Sequence, residues 1–266
     1  MQHQLVKKYT AELTRRDYSP RTIKHYTWYV EKYIRELDHN PYHLTVNHLD
    51  EYLTNTIWTS KAQQNQLINA LKLFYKFCLN KTDLKLSKIE RPRKSKPLPK
   101  VIDADKLVEK IDQVKNLKHR TILSIAFSVG LRVSEVINLQ VDCIDSDRMQ
   151  IRIEKGKGKK DRYVPLSINL LKLLREYYKE YRPSKYLFEG PTGKMYSTSS
   201  CQAIFKNHIS KSFSFHSLRH SFCTNLLEKS VDITVIAKIV GHSSIKTTQI
   251  YTKVSNKVLS QVPLPI

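Results

Sequence analysis

Residues 91–100 read RPRKSKPLPK. Pro92, Pro97 and Pro99 forbid a continuous helix here, because proline fixes φ and lacks the amide hydrogen that a helix interior requires. The cations between them repel one another and favour an extended strap. From Lys81 to Lys100 there are eight Lys or Arg and two Asp or Glu. Taken alone, such a segment also reads as a surface loop of one domain. What lies on either side argues for a boundary between two, with a helical part at 1–83, a basic proline-containing linker at 84–103 and a second part at 104–266.

On the N-terminal side the pattern is helical. In YSPRTIKHYTWYVEKYIREL (18–37), Ser19 can cap a helix and Pro20 suits its first position. Ile23, Tyr26, Val30, Tyr33, Ile34 and Leu37 then recur at three- and four-residue spacing, the mark of one apolar helix face. SKAQQNQLINALKLFYKFCL (60–79) offers Ser60 and Gln63 as a capping box, with Leu67, Ala70, Leu71, Phe74, Tyr75 and Cys78 as its stripe. Shorter segments before Arg16 and around Leu49 to Leu53 complete a bundle of about four helices. The opposite face of the Ser60 helix carries Lys61, Gln64, Asn65, Asn69, Lys72 and Lys76. Those side chains suit phosphates and base edges, although a solvated helix surface has the same composition.

Beyond the linker the texture changes. LKHRTILSIAFSVGLRVSEVINL (117–139) is an apolar helical run broken at Gly130, with Arg132 just past the break and Ser134 placed to cap the next turn. MQIRIE (149–154) points Met149, Ile151 and Ile153 to one face, and RYVPL (162–166) returns after KGKGKKD (155–161). This is a β-hairpin with a lysine-rich tip. Helices resume at SINLLKLLREYYKEY (167–181). The expected fold is mainly α, a helical bundle followed by a mostly helical domain with a small antiparallel sheet.

With 46 Lys and Arg against 24 Asp and Glu, the formal charge of the 266-residue chain is +22, a field that concentrates polyanions. Nucleic acid is the leading partner. Cys78, Cys143, Cys201 and Cys223 are scattered, with neither metal-ligand nor disulfide-framework spacing. No apolar run is long enough for a membrane span and the first residues lack a signal-peptide core, so the expected location is the cytoplasm or nucleoid.

HSLRHSF (216–222) and GHSSIKTTQIY (241–251) supply the chemistry. His216 and Arg219 share a helix face at i and i+3, and DITVIAKIVG (232–241) ends in a glycine that leaves His242 beyond the helix. Singly, each histidine reads as a surface or core residue, and Tyr251 is one of fifteen tyrosines. Together with Arg132 and the hairpin lysines they suit a phosphodiester. Two guanidiniums can clamp non-bridging oxygens, a tyrosine can attack phosphorus once a base or nearby cations activate it, and a lysine can protonate the leaving oxygen.

HSLRHSFCTNLL (216–227) and VIAKIVGHSSIKTTQIYTKV (235–254) resemble the signature of the tyrosine recombinases, the phage-integrase family: H-x-L-R-H, then L-G-H, then a tyrosine nine residues on. GLRVSEVINL (130–139) resembles the family's first arginine box and KGKGKKDRYVPL (155–166) its lysine hairpin. The resemblance spans essentially the whole chain. It implies a SAM-like core-binding bundle followed by a catalytic domain. Arg132 and Arg219 would bind the scissile phosphate with His242 as a further donor, and Tyr251 would attack to give a 3′-phosphotyrosyl enzyme and a free 5′-hydroxyl. Lys157 would be the general acid, His216 would assist deprotonation of the tyrosine, and Glu135 would orient its neighbours. Arg91, Arg93, Lys94 and Lys96 of the strap would join Lys61, Gln64, Asn65 and Lys72 in holding DNA.

No metal or nucleotide cofactor is implied, because the phosphotyrosine conserves the bond energy. The implied partner is double-stranded DNA with an inverted-repeat recombination site, bound by a homotetramer on paired sites, with a second recombinase or accessory protein as a further partner and no membrane. A chain opening directly on the core-binding bundle is expected to be of the simple Xer or invertase type. Two departures stand out: Ser230 lies where the family often has glycine, and Lys253 replaces a common histidine. A type IB topoisomerase-like enzyme and a non-catalytic DNA-binding module are the rival readings.

Overall fold

The computed structural model describes residues 2–37, 40–43, 45–81, 91, 98–154, 161–191 and 193–253. Arg93, Lys94, Lys96, Lys157 and the tail after 253 therefore lie outside the described residues. The chain divides into two compact units, Met1–Lys96 and Pro97–Ile266.

The first unit consists of α1 (Gln2–Arg15), α2 (Pro20–Arg35), α3 (Val46–Asn55) and α4 (Lys61–Cys78), with a 3-10 turn at Pro41–His43. Helix α2 starts as its sequence implies, Ser19 Oγ accepting from the Thr22 amide and Pro20 filling the first position. At α4 the expected capping box is half formed. Ser60 Oγ accepts from the Gln63 amide, but Gln63 Oε1 accepts from the amide and hydroxyl of Thr59 instead of turning back to Ser60. A reciprocal box does form at α3, where His48 Nδ1 accepts from the Thr45 amide and Thr45 Oγ1 from the His48 amide.

Helices α1, α2 and α4 pack on one another. Their shared interior holds Leu13, Val30, Ile34, Leu71 and Phe74 together with the fully buried Tyr9, Tyr33 and Tyr75. Each aliphatic side chain so buried contributes roughly 1.5–3 kcal/mol. The tyrosine hydroxyls cannot stay unpaired there. Tyr9 donates to the Ala70 carbonyl at 2.8 Å, and Tyr33 and Tyr75 bond to each other at 3.0 Å.

The second unit contains α5 (Ala104–Asp112), α6 (Leu117–Ser128), α7 (Val133–Asn138), β1 (Ile144–Asp145), β2 (Gln150–Ile153), β3 (Arg162–Pro165), α8 (Ile168–Tyr181), α9 (Thr198–His208), α10 (His216–Glu228), α11 (Ile233–Val240), α12 (Ile245–Thr248) and a 3-10 turn at Gln249–Lys253. The sheet is antiparallel in the order β1-β2-β3, with Ile151 opposite Ile144 on one side and Val164 on the other. Ile151, Ile153 and Val164 face the core. Helix α6 buries Ile122, Leu123, Ile125, Ala126 and Phe127, more than one face of a helix holds. It packs against both α8 and α10. The fold is thus mainly α with a small antiparallel sheet, as the sequence implies. No helix among the described residues is long and apolar enough to cross a membrane.

Candidate active site

Four segments of the second unit converge on one place, and two glycines make the approach possible. Gly130 ends α6 at φ +64°, and a Cβ there would stand 2.4 Å from Phe222 Cδ1. Gly241 ends α11 at φ +66°, and a Cβ there would press on the Arg162 guanidinium at 3.1 Å. Both positions need a left-handed backbone and no side chain. Their carbonyls are then free to serve as anchors. Arg219 of α10 donates to the Gly130 carbonyl at 2.7 Å and to that of Val240, while Arg132 donates to the Gly241 carbonyl at 3.3 Å.

Glu135 ties these cations together. Arg132 reaches its Oε1 at 2.7 Å, Arg162 of β3 grips both oxygens at 2.9 Å, and Arg219 lies 3.9 Å away. The Arg132 amide also donates to Oε2 at 2.9 Å. Burial alone would raise the Glu135 pKa, but the Arg162 and Arg132 contacts outweigh it and hold the carboxyl below its usual range. One buried carboxylate thus organises three guanidiniums. This corrects the expected cap of α7: Ser134 sits inside the helix, and Glu135, reaching back to Arg132, does the capping.

Arg219 is 1% exposed. Burial, and then Arg132 beside it, lower its pKa to about 10, so it keeps its charge at neutral pH. Its carbonyl and carboxylate partners satisfy that charge without neutralising all three arginines. The result is a cationic cluster suited to an oxyanion.

Tyr251, in the 3-10 turn, is 2% exposed. Its hydroxyl lies 2.9 Å from His220 Nδ1 and shares a hydrogen bond with Cys223. Burial pushes the phenol pKa up, Cys223 adds to that, and Arg219 and Arg132 pull against it. His242 Nδ1 bonds Thr248 Oγ1 at 2.8 Å, and its ring lies nearly parallel to Tyr251 at 6.4 Å between centroids. His216 meets His220 edge-on, with centroids 4.5 Å apart. Burial, then Arg219 and Arg132, keep the His216 pKa down.

Arg132, Glu135, His216, Arg219, His242 and Tyr251 are therefore neighbours, a grouping that the family resemblance implies and that their spacing alone does not. Sequence reasoning passed over His220, Arg162 and Cys223. His220 stands at i+4 from His216 and so on the same face of α10, which was the available signal. Arg162 is the first residue of the returning strand, and nothing local distinguishes it from the other cations of the hairpin.

In the first unit Lys61 and Lys72 are exposed on α4 and Gln64 is half-buried. Asn65, expected on the exposed face, is instead 4% exposed. Its Nδ2 donates to the Lys61 carbonyl at 2.9 Å, and its Oδ1 accepts from Arg91, which also bonds Asn69 at 3.1 Å. Helix α4 buries a stripe wide enough to take in this position.

A helical bundle, a second mostly helical unit with a three-stranded sheet, and a buried tyrosine set against clustered arginines define an enzyme of the tyrosine strand-transfer class. The family comparisons agree. Residues 100–257 match the phage integrase family, and residues 5–83 match the phage integrase N-terminal SAM-like domain. The chain belongs to the phage integrase family and is a tyrosine site-specific recombinase of the Xer type.

Its relatives include a putative integrase/recombinase, y4qK, of Sinorhizobium fredii, 37% identical over 214 residues covering 78% of this chain and 70% of the relative. Tyrosine recombinase XerA of Pyrococcus horikoshii is 32% identical over 252 residues, covering 91% and 86%. Among solved structures, XerH bound to palindromic difH substrate in a post-cleavage complex aligns with a TM-score of 0.74 at 22% identity, over 94% of this chain and 83% of that one. A lambda integrase tetramer bound to a Holliday junction aligns with a TM-score of 0.74 at 16% identity, over 94% and 76%. These relatives do not favour the topoisomerase-like or non-catalytic readings.

Proposed function

We propose that this recombinase cuts and rejoins double-stranded DNA with Tyr251 as the nucleophile. The observation that carries the reading is the Tyr251 hydroxyl, buried and bonded to an imidazole beside Arg219. Oη bonds to phosphorus, the P–O5′ bond breaks, and the products are a 3′-phosphotyrosine and a 5′-hydroxyl. Arg132 and Arg219 stabilise the charge that grows on the non-bridging oxygens, with His242 as a further donor. Lys157 gives the leaving 5′-oxygen its proton, and His216 assists removal of the phenol proton. Glu135 keeps the arginines in place. Rejoining runs the same steps backward onto a 5′-hydroxyl of the partner strand.

The helical part at 1–83 and the basic linker at 84–103 grip the duplex, Lys61, Gln64 and Lys72 facing it from α4 and Arg91, Arg93, Lys94 and Lys96 from the strap. The part at 104–266 performs the chemistry. A net charge of +22 favours such a clamp. The DNA-bound XerH and the Holliday-junction tetramer of lambda integrase support a homotetramer on paired inverted-repeat sites. A second recombinase or an accessory protein is part of this reading as a further partner, and neither of those structures bears on it.

The test uses a nicked duplex carrying the sequence that the wild-type protein enriches from random DNA, so that cleavage traps the covalent complex. Tyr251→Phe binds this duplex normally and forms no adduct. An adduct that persists in Tyr251→Phe sinks the assignment.

A further inference from the structure

The hydroxyl of Tyr251 has two polar partners among the described residues, the Cys223 thiol and the His220 imidazole. His216, the residue that the family resemblance points to, stands one ring further away, edge-on to His220 and not hydrogen-bonded to the phenol. Resting on the assignment of Tyr251 as nucleophile, we propose that His220 is itself a catalytic residue: its Nδ1 takes the phenol proton as Oη bonds to phosphorus, and returns it when the strand is rejoined.

The proton balance closes within the site. In cleavage the O–H bond of Tyr251 breaks, an N–H bond forms at Nδ1, the new P–O bond replaces P–O5′, and the leaving oxygen takes its proton from the hairpin. In rejoining, the imidazolium gives its proton back to the departing phenolate. A protonated phenol that donates to Nδ1 requires the tautomer with its hydrogen on Nε2, which leaves the Nδ1 lone pair aimed at the reacting oxygen. Cys223 cannot serve as the acceptor. Burial raises its own pKa to about 11, so it stays a neutral thiol.

The surroundings explain why the base waits for DNA. Burial, then His216 and Arg219, lower the His220 pKa to about 4, so the ring is neutral at physiological pH. The groups that face it are His216, Arg219 and Cys223 from α10 and Tyr251 from the 3-10 turn, with Arg132 and Glu135 acting on His216 and His242 lying across the phenol. In the DNA-free protein burial, with His216 and the Arg219 guanidinium adding to it, makes His220 a weak base, and burial makes Tyr251 a weak acid, so the proton stays on the tyrosine. A phosphate seated between Arg132 and Arg219 offsets the cationic part of that shift and raises the basicity of His220. At the same moment bond formation to phosphorus makes the phenol more acidic. His216 acts through His220, as a positioning residue whose charge and contact tune it.

The experiment measures single-turnover adduct formation on the nicked duplex described above, at saturating protein, with duplex affinity read in parallel. His220→Asn places an amide near the position of Nδ1, able to accept a hydrogen bond but not a proton. Adduct formation is expected to slow about 100-fold near pH 7 at unchanged affinity, and to climb roughly tenfold per pH unit where the wild type is flat. His220→Ala is expected to regain rate with added imidazole. A His220→Asn protein within about twofold of wild type with the same pH profile overturns the proposal. Because a variant of α10 can fail to fold, a second measurement uses wild type and Tyr251→Phe labelled with 15N-histidine, without DNA. The Nδ1 resonance of His220 is expected to shift when the phenol hydroxyl is lost, and an unchanged resonance overturns the proposal. If Tyr251→Phe still forms an adduct, the assignment of the nucleophile fails. If Tyr251→Phe is inert while His220→Asn is unimpaired, the role of His220 alone fails.

Discussion

Both units bury tyrosines, and the two sets differ in what their hydroxyls meet. In the N-terminal bundle Tyr9, Tyr33 and Tyr75 are fully buried, and their hydroxyls end on a backbone carbonyl or on one another. Burial raises all three, Tyr33 to about 12, and the neighbours that add to the shift of Tyr9 and Tyr75 are mainly other tyrosines. In the catalytic unit Tyr251 is equally enclosed and its pKa is raised by burial too. Its hydroxyl, however, ends on an imidazole, and Arg219 and Arg132 pull its pKa down. Burial is therefore common to a structural tyrosine and to the proposed nucleophile. The difference lies in whether a neighbour can take the proton and whether cations wait for the charge.

That comparison can be broken most severely at Glu135. Glu135→Ala leaves three guanidiniums close together with their shared anion gone. A loss of about 3–5 kcal/mol in the stability of the C-terminal unit is expected, with adduct formation abolished and the bundle unaffected. Urea unfolding followed separately in the two units checks this. A change below about 1 kcal/mol would show that the carboxylate does not organise the cluster.

A smaller effect comes from pH. The folded-state pKa of His220 is lowered from 6.5 to about 4, and that of His216 moves in the same direction. The folded form thus favours the neutral ring, so this stabilisation is complete above about 6.5 and is lost as pH falls toward 4. For His220 alone the loss by pH 5 is on the order of 2 kcal/mol. The raised tyrosines of the bundle stay neutral throughout this window and add no such loss. Comparing unfolding of wild type and His220→Gln near pH 7.5 and pH 5 isolates the contribution, and equal losses in the two proteins would contradict it.

The smallest effect sharpens the contrast from the structural side. Tyr33→Phe removes one buried hydrogen bond and strands the Tyr75 hydroxyl, for about 1–2 kcal/mol of bundle stability. Replacing both by Phe recovers most of that, since no polar group is then left unpaired. Cleavage rate at saturating protein is expected to stay at the wild-type value in either case. Tyr251→Phe reverses the pattern, with little change in stability and no adduct.

Much of this architecture was legible without coordinates, because helices, caps and a hairpin are written in short-range spacing. Ser19 and Pro20 open α2 as read, and the alternation of Ile151 and Ile153 sets the inner face of β2. The grouping of Arg132, Arg219, His242 and Tyr251 was legible through family resemblance and not through geometry. Elsewhere local reading went astray where two patterns compete. Asn65 belongs to a polar sequence yet lies within the reach of the buried stripe of α4. Gln63 had two acceptable amides, and Thr59 rather than Ser60 took it. Ser230, where the family often has glycine, adopts φ +62°, a left-handed backbone held without the residue that enters it most easily.

The sequence by itself determined where the longer helices and the hairpin lie, most of their apolar faces, and that cations, imidazoles and a tyrosine recur in a pattern suited to a phosphodiester. Only the tertiary structure decided their pairings. His220 and Tyr251 are 31 residues apart, Arg162 and Glu135 27 apart, and Arg219 and the Gly130 carbonyl 89 apart. Hydrogen-bond partners at such separations are chosen by how α10, α11 and β3 pack around α6 and α7. No local spacing encodes that choice, because it depends on burying apolar faces first and satisfying the polar groups that burial brings together.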